Sequence, residues 1–123
     1  MSNELTPEQS KDILARQELL PIGTVVLLEK ANRKIMIIGV LQIDGQNQSV
    51  LYDYSGVVYP EGLINPKNNY LFNANQIERI FYMGYHNEEQ DNLQKTVKIA
   101  RENFYARNGV NNYKKGKKNE SES

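Results

Sequence analysis

The residues best suited to chemistry fall in one stretch, Tyr52-Asp53-Tyr54-Ser55-Gly56-Val57-Val58-Tyr59-Pro60-Glu61-Gly62, where tyrosines and two carboxylates surround a turn. Asp53 and Glu61 are the pair from which a general acid and a general base of the glycosidase kind would be drawn. A plainer reading is favoured: Asp53 satisfies nearby backbone donors, and Pro60-Glu61-Gly62 is turn chemistry. Ser49 and Ser55 have no triad to join, because the one histidine, His86, stands at the start of a helix and no Gly-x-Ser-x-Gly elbow occurs. His86 with Glu88, Glu89 and Asp91 is better read as carboxylates at the positive end of a helix than as a metal cluster. The chain has no cysteine, which removes thiolate nucleophiles, disulfides and cysteine-held zinc or iron–sulfur centres. Gly39, Gly45, Gly56 and Gly62 build no phosphate-cradling Gly-x-x-x-x-Gly-Lys loop. The expectation is no enzyme activity, no cofactor and no metal site.

Binding chemistry is better represented. Tyrosine joins a large apolar face to a polar tip, the combination favoured at partner surfaces, and the chain has eight of them. Tyr52, Tyr54, Tyr59, Tyr82 and Tyr85 fall in or beside strands. With Glu61, and with Leu93, Val97 and Phe104 on a C-terminal helix, they are the candidate partner-contact residues. Lys114, Lys115, Lys117 and Lys118 are the one basic run; without them and Glu120 and Glu122, 11 basic and 13 acidic residues remain of 15 each. That body lacks the basic face that phosphate contacts require, so nucleic acid is an unlikely partner and the run reads as a solvated tail.

These residues need elements to position them. Thr6-Pro7-Glu8-Gln9 has the form of a capping box with proline at the first helical position, and the helix it starts runs to about Gln17, with Leu19-Leu20-Pro21 closing it. Thr24–Leu28 and Lys34–Ile38 are β-rich runs joined at Lys30-Ala31-Asn32-Arg33, and their apolar content predicts strands covered on both faces. Ser49–Tyr54 is a third strand, broken or bulged at Gly56. A long loop rich in turn formers spans Tyr59–Asn69; Tyr70–Phe72 resumes extended structure, Asn73–Gln76 makes one helical turn, and Ile77–Tyr82 is the last strand. Asn87 caps a second helix with Gln90 reciprocating, and Leu93, Val97, Ala100 and Phe104 form its inward stripe. Asn108-Gly109 closes that helix.

The order helix, consecutive strands, helix predicts an α+β fold: an antiparallel meander of four to five strands, as an SH3-like barrel or an open sheet, flanked by the two helices. The organisation is an N-terminal helix over 1–18, a β domain over 19–86, an amphipathic helix over 87–108 and a disordered basic tail over 109–123. At 123 residues one modest core is expected. The polar, acidic start is unlike a signal peptide and no apolar run approaches the ~20 residues of a membrane span, so a cytoplasmic location is expected.

Leu20-Pro21-Ile22-Gly23-Thr24-Val25-Val26-Leu27-Leu28, Met36-Ile37-Ile38-Gly39, Tyr52-Asp53-Tyr54 through Tyr59-Pro60-Glu61-Gly62, Leu71-Phe72-Asn73 and Gly84-Tyr85 follow one another in an order that resembles the domain-of-unknown-function-4176 family of small proteins from Gram-positive bacteria, over about Leu19 to Glu89. The resemblance brings no enzyme activity. It implies a context, type VII secretion loci that encode LXG-type toxins and small helical partners, and hence an accessory, adaptor or chaperone-like protein whose partner is a toxin or secretion component. Tyr85-His86-Asn87-Glu88-Glu89 has the Tyr-x-x-x-Asp/Glu spacing of exported substrates, but eight tyrosines and 15 acidic residues make one such match expected by chance. A cytoplasmic helper is favoured over an exported substrate. The alternative function is a small nucleic-acid binder that uses the lysine tail.

Overall fold

The computed structural model describes residues 4–108 and the two-residue strand Lys117–Lys118. Its first helix, α1 (Pro7–Arg16), begins as its sequence dictates: Gln9 N donates to Thr6 Oγ1 at 3.1 Å, and Thr6 N donates to Gln9 Oε1 at 2.8 Å. The stop is not Pro21. Gln17 turns left-handed (φ 55°) and its N–H closes on Leu14 O, ending the helix before the proline is reached.

The strands β1 (Val25–Leu28), β2 (Lys34–Ile43), β3 (Leu51–Val58), β4 (Tyr70–Phe72) and β5 (Ile77–Tyr82) form an open antiparallel sheet in the order β5-β1-β2-β3-β4. A 3-10 turn at Ala74–Gln76 precedes β5, and β6 (Lys117–Lys118) pairs with the outer side of β4. The architecture is therefore α+β with an open sheet. Apart from those two residues, the tail predicted over 109–123 lies outside the described residues.

Three local expectations change. β2 continues to Ile43 by a bulge between Ile37 and Gly39, opposite Gly56 and Ser55, whereas β3 itself runs unbroken through Gly56, which pairs with Ile37 and Tyr70. A side chain at Gly56 would strike Ile35 Cγ2 and come within 2.9 Å of Met36 O, so the glycine permits close approach of strands rather than breaking one. The strand buried along its length is β3, from Leu51 to Val57, because β2 and β4 flank it and other elements close over it. β2 shows one-sided burial at Ile35 and Ile37 and leaves Ile38 and Ile43 exposed.

One core cluster joins Val26, Ile35, Ile37, Tyr54, Phe72, Ile77 and Ile80 of the sheet to Leu19 and Leu20, with Ile13 and Leu14 of α1 against it. Val97 belongs to the same cluster and comes from α2 (Glu88–Asn108), so both helices lie on one face of the sheet. The outer edge of β5 is covered by the N-terminal segment. Leu5 N donates to Phe81 O at 2.8 Å, Ile80 N to Ser10 Oγ at 2.8 Å, and Arg79 Nη2 to Leu5 O at 3.1 Å. An edge capped in this way is closed to strand addition by a partner.

Candidate functional site

α2 is a polar helix with few buried side chains. Among its described residues only Val97 and Phe104 are buried. The inward positions are Gln90, Gln94, Val97, Arg101 and Phe104, at spacing i, i+4, i+7, i+11, i+14, which rotates the stripe away from Leu93 (39 % exposed). Gln90 does not complete a capping box; its Nε2 donates to Leu19 O at 3.3 Å and ties the helix start to the segment after α1. Asn87 does cap, accepting from Glu89 N at 2.9 Å. Farther along, Arg101 Nη2 donates to Asp53 Oδ1 at 2.9 Å.

Asp53 is the hub of this arrangement. Its Oδ2 accepts from Ala74 N at 2.8 Å, its own N–H donates to Asn73 Oδ1 at 2.9 Å, and its side chain is 6 % exposed against 30 % for Arg101. It therefore joins β3, the 3-10 turn and α2. The Asp53 carboxylate is paid in full by a charge and a backbone donor, the condition under which a buried ion is tolerated.

Between α1, the 3-10 turn and α2 lies a cleft of about 770 Å³, with Asp53 and Tyr54 of β3 lining it. Its apolar lining comes from Ile13, Leu14, Leu19, Leu20, Ile77 and Val97; Arg16 and Lys98 bring exposed positive charge from its two helical walls, and Glu18 brings a carboxylate. Tyr54 Oη accepts from Leu20 N at 3.0 Å. Burial pushes the Tyr54 phenol up to about 12; the Leu20 hydrogen bond opposes this, the Asp53 charge adds to it and Arg101 opposes it. Tyr105 is pushed up as well, by burial first and then by Asp53, with Arg101 opposing.

The residues predicted from sequence separate into two sets. Tyr52, Tyr54, Val97 and Phe104 are buried within the fold, where their apolar surface packs against other elements. Tyr59 (48 %), Tyr82 (47 %), Tyr85 (82 %) and Leu93 are exposed. Glu61 is exposed and accepts from Arg33 Nη2, which also donates to Tyr59 O at 3.2 Å. A backbone N–H bond at Glu61, and then Arg33, hold the Glu61 carboxyl below its ordinary range. The Asp53 cleft does not include Glu61, so the two carboxylates face no common space. Among the described residues no group of three or more His, Cys, Asp or Glu is arranged to hold a metal ion. His86 Nδ1 lies 3.2 Å from Gly84 O, and no described helix is long and apolar enough to cross a membrane.

Sequence reasoning missed Arg101. Its signal was present: read at helical period from Val97 and Phe104, position 101 faces inward, and an inward arginine demands a buried acid such as Asp53. The cleft thus combines a mostly buried apolar lining with exposed charge at Arg16, Glu18 and Lys98.

No curated protein and no solved structure matches the sequence. A family model described as Domain of unknown function (DUF4176) does match, over residues 19–93, which take in the whole sheet from β1 to β5, Asp53, and the first turn of α2. The match spans more than half of the chain, which therefore belongs to the DUF4176 family.

Proposed function

We propose that this chain is a non-catalytic protein-binding module, an accessory or chaperone-like adaptor for type VII secretion of LXG-type toxins, acting in the cytoplasm. The observation that carries the binding part is the cleft, whose carboxylate is engaged by Arg101 and Ala74 N while Arg16, Glu18 and Lys98 stand exposed at its rim. Exposed Ile22, Tyr82 and Tyr85 add apolar surface near the β1–β5 end of the sheet, where Gly84 N donates to Thr24 Oγ1 at 3.0 Å. The secretion context comes from what the family resemblance implies.

The test is co-expression of the tagged full chain with the LXG-type toxin and the small helical proteins encoded beside it, followed by affinity capture and gel filtration at low salt. A complex of defined stoichiometry with one of those products supports the reading. Failure of every locus product to co-elute at low salt overturns it.

A further inference from the structure

An open sheet has two edge strands, each with a row of backbone groups turned outward, and this chain closes its two edges differently. Along β5 the N-terminal segment does so at several points: Leu5 N donates to Phe81 O at 2.8 Å, Ser10 Oγ accepts from Ile80 N, and Leu5 O accepts from Arg79 Nη2. Along β4 the cover among the described residues is β6, two residues paired antiparallel, Tyr70 with Lys118 and Leu71 with Lys117.

The second closure is weak by its chemistry. A ladder of two residue pairs closes few hydrogen bonds, and lysine is disfavoured in strands, so nothing in Lys117-Lys118 itself commits it to extended structure. Its pairing is helped by the tether: only residues 109–116 separate β6 from α2, which makes the contact intramolecular and raises its effective concentration. β4, by contrast, does not need β6 to stay in place. Its inner side pairs with Tyr54, Ser55 and Gly56 of β3, and Leu71 and Phe72 are buried. The next residue, Asn73, accepts from Asp53 N at 2.9 Å, while Ala74 N donates to the Asp53 carboxylate. Without β6 there remains an anchored strand with one free edge, the template that an extended peptide uses in strand addition.

We propose that the outer edge of β4 is a strand-addition site that the chain closes in cis with β6, and that an extended segment of the protein partner binds there by displacing Lys117–Lys118. The inference rests on the protein-binding reading above and names its mode of contact. Backbone pairing supplies the binding, and the tethered lysine strand sets the threshold that a partner strand must exceed.

The experiment uses the ¹⁵N-labelled full chain and its Lys117→Pro, Lys118→Pro double variant, which lacks both β6 backbone donors and leaves residues 4–108 unchanged. In amide hydrogen exchange, protection within Tyr70–Phe72 is expected to fall about tenfold in the variant, while Ile37 and Ile80, whose N–H groups bond Thr24 O and Ser10 Oγ, keep theirs. A synthetic peptide of residues 109–123 should bind the variant in trans and shift the Tyr70–Phe72 amides, and should bind wild type about tenfold more weakly because the tethered copy competes. Unchanged exchange in β4, loss of protection at Ile37 and Ile80 as well, no binding of the peptide, or equal binding to both chains would overturn the assignment. Capture of the locus toxin separates this inference from the adaptor reading. Equal capture by wild type and variant refutes the edge site and leaves the adaptor reading standing; no capture by either, with the peptide binding as expected, leaves the edge site standing and the adaptor reading falls.

Discussion

The Asp53–Arg101 pair fixes α2 against the sheet, and its contribution can be worked out before it is measured. Removing one member of a buried pair costs about 3–5 kcal/mol, because the survivor is left charged and unsolvated. Here the two members differ: the Asp53 side chain is 6 % exposed, while Arg101 is 30 % exposed and can draw water to part of its guanidinium. Arg101→Met, which keeps an apolar stem, strands the carboxylate and should cost about 3 kcal/mol. Asp53→Asn leaves an oxygen for Ala74 N and an arginine that partly rehydrates, so about 2 kcal/mol is expected. The double variant contains no orphaned charge and should recover about 1.5–2 kcal/mol of the summed loss, which is the coupling energy. Urea unfolding followed by far-ultraviolet circular dichroism gives all four free energies, and repetition in 1 M NaCl tests burial, because a sheltered pair is weakly screened. A coupling below about 0.5 kcal/mol, the level of an exposed surface pair, would refute the claim that this contact positions α2.

Tyrosine ionisation gives a second prediction. Tyr54 is held at about 12 against an ordinary 10.0, so between those pH values the unfolded chain gives up the proton while the folded chain keeps it, and stability falls as pH rises through that window. The loss approaches about 3 kcal/mol above pH 12, and absorbance at 295 nm should show a tyrosine ionising only as the fold is lost. Gly84→Ala should cost at least about 2 kcal/mol, because the new Cβ would collide with Ile22 O and sit 3.0 Å from Gly23 C, both backbone atoms; Gly45→Ala, with nothing within 4 Å, should change the thermal midpoint negligibly. Thr6→Ala removes the acceptor for Gln9 N and should cost about 1 kcal/mol in a urea titration.

What could be read from sequence was what is decided over a few neighbouring residues. The Thr6–Gln9 box spans three positions and Asn87 needs only Glu89, so both caps were legible. The hairpin runs and the Asn73–Gln76 turn were legible for the same reason. β2 was read five residues short because a bulge carries pairing past Gly39, and a bulge is settled by the opposite strand at Ser55. The α2 stripe was read from apolar residues alone, which chose Leu93 and passed over Arg101. Its inward face is set by a salt bridge to a residue 48 positions away, which no local period contains.

The matched region holds only the sheet side of the cleft. Residues 19–93 include Asp53, Tyr54, Leu19, Leu20 and Ile77, the sheet side of the cleft, but not Arg16, Val97, Lys98 or Arg101. Both charged helical walls therefore come from segments beyond the matched region. Arg101 lies in one of them, so the ion pair that holds α2 on Asp53 is completed from beyond the matched region.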